Sequence, residues 1–318
     1  MTLRLMLGGL KSLILPALHS GYQASSHPVS GAYCYSVWLR HQALIEKAVP
    51  GHRPRTVVEI GPGESLGVGY AALMSGADRY IALDAVERLV PQRDLAVLDE
   101  IASLFERRAA IPNEKQFPNL LPALRSYAFP KKLFADDGPR PIRVDHDRVE
   151  SIRSELYARP SVLYDDRPFS YLAPWTERTV DRGSVDLVLT QAALQDIAHG
   201  SRHSQLADTF AAMAKWLKPG GVLSHQIDFS LPGGDTWNHH WAHSDATWMM
   251  MRANRPLFAN REPLSTYLAL CEENGCEVVS LKRVEQEGLT RERMAARFRD
   301  LPERDVRTSS AHLIAVKR

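Results

Sequence analysis

Thr56-Val57-Val58-Glu59-Ile60-Gly61-Pro62-Gly63-Glu64-Ser65, followed by Tyr80-Ile81-Ala82-Leu83-Asp84, is the stretch that decides the fold. An apolar run ends in an acid and a glycine turn. Leu66 to Ser75 then has helical character, and a second apolar run again ends in an acid. This order of strand, glycine turn, helix and strand opens a doubly wound α/β sheet, which holds a nucleotide-like ligand at the carboxyl ends of its strands. Asp84 follows Gly63 by 21 positions. That spacing puts a carboxylate at the tip of the second strand, where it accepts both hydroxyls of a ribose.

The turn itself discriminates between ligands. A dinucleotide fingerprint, G-x-G-x-x-G, needs a third glycine for close helix–strand packing and a helix start facing a pyrophosphate. Here the sixth position is Leu66, Pro62 sits between the glycines, and Glu59 lies just ahead of the turn. A carboxylate there is a poor neighbour for a pyrophosphate and a good one for a cationic amino acid group. Leu66 and Glu59 thus disfavour a nicotinamide-dependent oxidoreductase. Alone, the loop also fits an ordinary strand–helix turn in another α/β protein.

The run E-I-G-P-G-x-S resembles motif I of class I S-adenosylmethionine (SAM)-dependent methyltransferases. The second half of the chain extends the resemblance. Asp181-Arg182-Gly183-Ser184-Val185-Asp186-Leu187-Val188 is similar to the family's fourth strand, running on to Gln191. Ala192 to Ile197 matches the segment after it, expected as a helix, with Gln195-Asp196 in place of the usual Glu-His. Leu217-Lys218-Pro219-Gly220-Gly221 is similar to the turn before the fifth strand, with Pro219 expected to end the preceding helix. Leu268 to Gly275, Cys276 to Leu281 and Ala311 to Val316 resemble the last helix and the sixth and seventh strands. These matches cover roughly residues 55–90 and 167–318 in the family's order, and the ordered set is more specific than any one motif.

The resemblance implies an α/β fold with a doubly wound, mostly parallel seven-stranded sheet, the Rossmann-like methyltransferase fold, carrying a helical insertion after the second strand. It implies S-adenosyl-L-methionine as cofactor. Gly61, Pro62 and Gly63 would face its amino acid portion and Glu59 its ammonium. Asp84 and Ala85 would face the ribose, Trp175 the adenine side, and Gln191 the cleft at the end of the fourth strand. Gly31-Ala32-Tyr33-Cys34-Tyr35-Ser36-Val37-Trp38-Leu39-Arg40-His41 is similar to a lead-in of bacterial methyltransferases associated with surface polysaccharide biosynthesis.

Composition sets bounds. With 318 residues, 44% of them hydrophobic, the chain can bury one large domain with an insertion, or two small ones. The division expected is an N-terminal helical segment over 1–50 and a SAM-binding domain over 51–318, with 88–166 as the insertion. A net charge of +2 carries no basic excess for nucleic acid. Three cysteines, Cys34, Cys271 and Cys276, form no C-x-x-C pair, which fits a reducing cytoplasm. Leu3 to Leu18 is apolar but short for a membrane span. It reads as a helix packed on the domain or as an interfacial helix, giving weak peripheral association with the inner face of the membrane.

Some 80 residues separate the second strand from the third-strand candidate Phe169 to Trp175, where a plain crossover needs a dozen or more. Arg93 to Arg108 and Asp147 to Tyr157 have amphipathic helical spacing, and Ile111 to Pro141 is broken by prolines. The insertion is expected to fold over the carboxyl ends of the strands, as an acceptor lid, a cap or a subunit interface.

Methyl transfer asks the protein for alignment and, with a hydroxyl acceptor, for a base. Histidine suits that task, since it titrates near neutrality. His225, Asp228, His239, His240 and His243 cluster on and after the fifth strand. His240 and His239 are the first candidates for the base, with Asp228 orienting the acceptor or the base. His239 and His243 are four apart, with Asp228 and Asp235 near. No H-E-x-x-H or cysteine pair accompanies them, so no metal is expected. Trp237, Trp241 and Trp248 surround this loop, as faces for a sugar or aromatic acceptor or as core, which is the reading preferred for Trp248. The function expected is O-methylation of a sugar or polysaccharide intermediate, a glycan or other small molecule being the acceptor. The alternatives are a small natural-product or aromatic acceptor, or an inactive SAM-binding module.

Overall fold

A computed structural model of the chain describes residues 29–89, 91–134, 146–157, 167–197, 205–253 and 258–318. The apolar segment Leu3 to Leu18 lies outside the described residues. No helix among those described is long and apolar enough to cross a membrane.

Seven strands form one sheet: β1 (Thr56–Ile60), β2 (Arg79–Leu83), β3 (Phe169–Leu172), β4 (Val185–Gln191), β5 (Leu217–Asp228), β6 (Cys276–Glu285) and β7 (Thr308–Lys317). Their order is β3-β2-β1-β4-β5-β7-β6. The first five run parallel, and β7 is antiparallel to both β5 and β6. This order is typical of the Rossmann-like methyltransferase fold. The central strands are continuous apolar runs because helices cover both faces.

On one face lie α1 (Gly31–Ala48), α2 (Gly67–Met74), α3 (Pro91–Glu106) and α4 (His146–Tyr157), closing a core with Val57, Tyr80, Leu187 and Ile314. On the other lie α5 (Gln205–Trp216) and α7 (Leu264–Glu273), over Val58, Ile81, Val188 and Leu313. The intervening α6 (Asp245–Arg252) packs Trp248 and Met251 with Phe258 in a small separate cluster, so Trp248 is a core residue. The two short helices α8 (Ala296–Arg299) and α9 (Glu303–Arg307) lead into β7.

Three local expectations are corrected. Pro219 does not end a helix: α5 stops at Trp216, and Leu217 already pairs with Val185. The helix end is tied down earlier, where Gly183 and Ser184 donate to the Lys215 and Trp216 carbonyls and Trp216 Nε1 donates to Glu177 O. After β4 there is no helix over Ala192 to Ile197, only one 3-10 turn, Leu194–Asp196. Ala192 has a φ of 50°, which breaks the chain direction at the strand end. The third strand stops at Leu172, so Trp175 lies in the loop beyond it.

The insertion also differs from expectation in its described part. Of the described residues 88, 89, 91–134 and 146–157, only Arg88 lines the cleft at the carboxyl ends of the strands. The amphipathic α3 packs against α1 and α2, with Asp94 accepting from Leu66 N and Tyr70 Oη. The proline-broken stretch wraps over α1, where the fully buried Arg40 donates to the carbonyls of Pro112, Leu120 and Pro122. Apolar residues such as Phe117, Leu120 and Phe129 belong to the same core. This part of the insertion packs mainly on the helical layer and meets the strand ends at Leu121, whose carbonyl accepts from Gln191 Nε2.

Candidate active site

A cleft of about 1000 Å³ opens at the carboxyl ends of β1, β2, β4 and β5. Glu59, Gly61, Pro62, Gly63, Asp84 and Ala85 line one part of it, as do Trp175 and Gln191. Asp228 and His240 line another part, with Asp196, Trp241 and Arg261. His225, His239 and His243 are not on its wall.

The glycine turn needs its glycines. Gly61 and Gly63 have φ values of 77° and 72°, in the left-handed region. Gly61 N donates to Leu83 O at 2.8 Å, fastening the turn to the end of β2. A Cβ at Gly61 would lie 2.5 Å from Ala193 Cβ, so the turn and the loop after β4 touch.

Asp84 stands at the tip of β2 and is only 5% exposed. Its Oδ1 accepts from Ala85 N at 2.7 Å, while the buried Oδ2 has no partner. Burial pushes its pKa up, against the opposing pull of Arg88 and nearby backbone N–H groups. Glu59 is 2% exposed and accepts from Tyr80 Oη at 2.5 Å. Burial raises its pKa to about 7, the Tyr80 hydrogen bond opposes this, and the Asp84 charge adds to it. Trp175 rests edge-on against Trp216, with ring centroids 5.4 Å apart. Gln191 Nε2 donates to Leu121 O at 2.9 Å, and its Oε1 lies 3.1 Å from His41 Nε2.

In the other part of the cleft, Asp228 ends β5 and accepts from Ser230 N at 2.9 Å. Burial raises its pKa. Asp196 sits on the 3-10 turn after β4. Asn260 clamps this turn, its Nδ2 donating to Leu194 O at 2.9 Å and Ile197 O at 3.2 Å. Burial and the Asp228 charge push Asp196 up to about 6, with Arg88 opposing. Sequence spacing missed Asp196 as a companion to Asp228, because the two are brought together only by the pairing of β4 with β5. The available signal was the Gln195-Asp196 pair standing in place of the family's usual Glu-His after β4.

His240 is 2% exposed, with a buried Nδ1 that has no partner. Burial, together with the positive surroundings of His239, Arg261 and His243, lowers its pKa to about 3. Arg261 spans Trp248 and Phe298 and donates to His243 O at 2.7 Å. His239 is placed differently from His240 and does not line the cleft. Its ring packs on Gly234 and its Nδ1 donates to Thr236 O at 2.9 Å, so it is turned into its own loop. His225 is fully buried in β5 with Nδ1 3.0 Å from Thr190 Oγ1, and His243 stacks on Trp248. Asp235 is exposed on the loop. Among the described residues no group of three His, Cys, Asp or Glu side chains is arranged to hold a metal ion.

No protein-family model matches the chain, and no curated protein matches it. Solved structures are similar in fold. One is the 1,6-didemethyltoxoflavin-N1-methyltransferase of Burkholderia thailandensis, with its bound substrate and S-adenosylhomocysteine. It is 14% identical, covers 98% of this chain and 88% of its own, and has a TM-score of 0.42. Another is an S-adenosylmethionine-dependent methyltransferase from Mesorhizobium loti, 13% identical, covering 89% of this chain and 98% of its own, with a TM-score of 0.39. The fold assignment rests on the strand order described above.

Proposed function

We propose that the chain is a SAM-dependent methyltransferase acting on a small-molecule acceptor. The observation that carries this reading is Asp84: a carboxylate at the tip of β2, buried beside the Gly61-Pro62-Gly63 turn, with one oxygen lacking any partner. An unsatisfied buried acceptor of this kind costs about 1–3 kcal/mol and is relieved by a ribose diol. The residues around it fit the rest of the cofactor. The Gly61 and Gly63 backbone gives room for an amino acid group, Glu59 supplies negative charge for an ammonium, and Trp175 offers an aromatic wall. Bound SAM supplies a methyl group already activated on a sulfonium. The chain's own task is then to align an acceptor, exclude water and hold a proton.

The finer reading is methyl transfer to a hydroxyl of a sugar or polysaccharide intermediate. It is supported by the acceptor part of the cleft, where carboxylates, an imidazole and the Trp241 ring stand together. Peripheral membrane contact through residues 3–18 would bring a lipid-linked acceptor within reach. Calorimetry tests the cofactor: SAM and S-adenosylhomocysteine should bind with one site per chain and NAD should not. Binding of NAD with none of SAM overturns the reading.

A further inference from the structure

We propose that Asp196, working beside Asp228, is the group that takes the proton from the acceptor hydroxyl. The inference rests on the methyltransferase reading above and deepens it by assigning the base and the acceptor chemistry.

Three observations bring the argument to Asp196 rather than to a histidine. First, its place is built. β4 and β5 are adjacent parallel strands, so the turn after β4 and the last residue of β5 face one cleft. The Asn260 side chain fixes that turn by two carbonyls, which holds Asp196 on the wall. Second, the carboxylate is uncommitted. Among the described residues it takes no hydrogen bond, whereas Asp228 is occupied by Ser230. Third, the cleft has a further unmet demand. His240 is almost wholly buried on the same wall and its Nδ1 has no partner. A hydroxyl-bearing ligand gives an acceptor carboxylate a donor and leaves other oxygens and hydroxyls for the imidazole.

Surroundings then choose between the two bases. A base works best with a pKa near the operating pH. Burial and its neighbours lower the His240 imidazole, whereas burial and the Asp228 charge raise the Asp196 carboxyl, so Asp196 is the readier proton acceptor of the two. The groups that face Asp196 are Asp228 from β5, Arg88 from the loop after β2 and the Tyr267 phenol from α7. The like charge of Asp228 and burial favour the protonated form, and Arg88 opposes them.

The step balances as follows. The acceptor oxygen forms a bond to the methyl carbon of the sulfonium donor. The carbon–sulfur bond breaks with its electron pair left on sulfur, and the hydroxyl proton passes to an Asp196 oxygen. A methyl ether and a neutral sulfide leave, and the Asp196 carboxylic acid returns its proton to water.

The test uses the full chain and has two readouts. In ¹³C-carboxyl-aspartate NMR with S-adenosylhomocysteine bound, one carboxyl should titrate near pH 6. It should vanish in Asp196→Asn and move to lower pH in Asp228→Asn. Titration of Asp196 in the ordinary carboxylate range overturns the proposal. The second readout is release of S-adenosylhomocysteine from SAM with methyl glycosides, a nucleoside diphosphate sugar and catechol as hydroxyl probes, and a primary alkylamine as control. Asp196→Asn should lower kcat by about 10²-fold or more while SAM affinity stays within about twofold, and Asp196→Glu should restore part of the rate. The wild-type rate should fall as pH drops through about 6. Unchanged kcat in Asp196→Asn overturns the assignment. So does a wild-type chain that binds SAM but methylates no hydroxyl probe, or methylates the amine alone. Failure of the wild type to bind SAM overturns the parent reading instead, and the inference with it.

Discussion

His41 and Gln191 meet between α1 and the carboxyl end of β4, with His41 Nε2 3.1 Å from Gln191 Oε1. A third group fixes the direction of this bond. Gln191 Nε2 donates to Leu121 O, so the amide atom facing the imidazole is the oxygen, and His41 Nε2 carries the proton. His41 Nδ1 then accepts from Ser224 Oγ at 2.7 Å, and Ser224 Oγ accepts from His312 Nε2 at 3.2 Å. Both rings are neutral in this chain, and burial holds His41 down to about 4. Gln191 is therefore held at the cleft by α1, whose Tyr33, Cys34 and Val37 line the same cleft. His41→Leu strands the Ser224 hydroxyl and the Gln191 oxygen. We expect a loss of about 2–5 kcal/mol in urea unfolding, and SAM affinity weakened by about 2–10-fold through the loosened Gln191. Weakened folding with unaltered SAM affinity would mean that Gln191 plays no part in binding.

Asp84→Asn keeps the shape of the side chain and removes its charge. Hydrogen bonds to a charged acceptor contribute about 1.5–3 kcal/mol, so SAM affinity should fall by roughly 10- to 100-fold. Because Asp84 is buried with one oxygen unpartnered, the apo chain should lose no stability at pH 7, and a gain is expected. Calorimetry and denaturation on the same variant separate the two effects. A variant that binds SAM like the wild type removes the ribose assignment.

Gly61→Ala and Gly220→Ala have nearly the same backbone cost, with φ values of 77° and 78°. Their surroundings differ. A Cβ at Gly61 meets Ala193 Cβ at 2.5 Å, while a Cβ at Gly220 meets nothing within 4 Å. Gly220→Ala should cost about 1–2 kcal/mol, the price of the left-handed conformation alone. Gly61→Ala should cost more by about 1–3 kcal/mol, since overpacking is added, and should also weaken SAM binding. Equal losses in thermal denaturation would show that the Ala193 loop gives way freely.

The glycine turn and Asp84 were legible because strand, turn and helix are written within some thirty residues of local pattern. The mostly parallel seven-stranded sheet followed from the resemblance that an ordered set of such patterns carries, while the order of its strands came from the structure. Asp196 was not legible as part of the site, since its nearness to Asp228 comes from pairing of strands across the chain. His239 and His240 are adjacent in sequence and carry the same chemistry, yet one packs on Gly234 and the other reaches the cleft. Only the 3-10 turn His239–Ala242 separates their directions. The insertion misled for a related reason. Its helix α3 was readable from spacing, but spacing carries no record of which partner the apolar side faces. Arg40, an unremarkable charge in the chain, turned out to hold the proline-broken segment in place.

Arg40→Met tests that role. The guanidinium is fully buried and donates to three carbonyls, those of Pro112, Leu120 and Pro122, and to Ser36 Oγ. Methionine replaces the volume of the stem and none of the donors. Losing charge-assisted bonds to buried carbonyls should cost about 3–5 kcal/mol. Limited proteolysis should cut the variant within Ile111 to Phe134 faster than the wild type, because exposed loops are the preferred sites. Adding SAM should slow the cutting of this stretch only slightly, since it meets the cleft wall through the bond from Gln191 Nε2 to Leu121 O. Strong protection by SAM would restore the lid.

Glu59→Gln isolates a carboxylate whose burial opposes folding. Its folded pKa, about 7, lies above the ordinary value of 4.5. A raised carboxylate pKa means that the folded state binds its proton more tightly than the unfolded state. The stability linked to that proton is fully present below pH 4.5 and is lost as pH rises through 7. A gap of this size corresponds to about 3 kcal/mol as an upper figure. Glutamine keeps an oxygen to accept from Tyr80 Oη and has no charge to desolvate. The variant should therefore be more stable than the wild type at pH 8.5, by about 2–3 kcal/mol, and equal to it at pH 4. SAM affinity should move the other way, falling as the negative charge beside the ammonium is removed. Denaturant midpoints at the two pH values, with calorimetry at pH 8, read both signs. A midpoint at pH 8.5 that does not rise would show that Glu59 is ionised in the folded chain at no cost, and a SAM affinity that does not fall would remove it from the cofactor site.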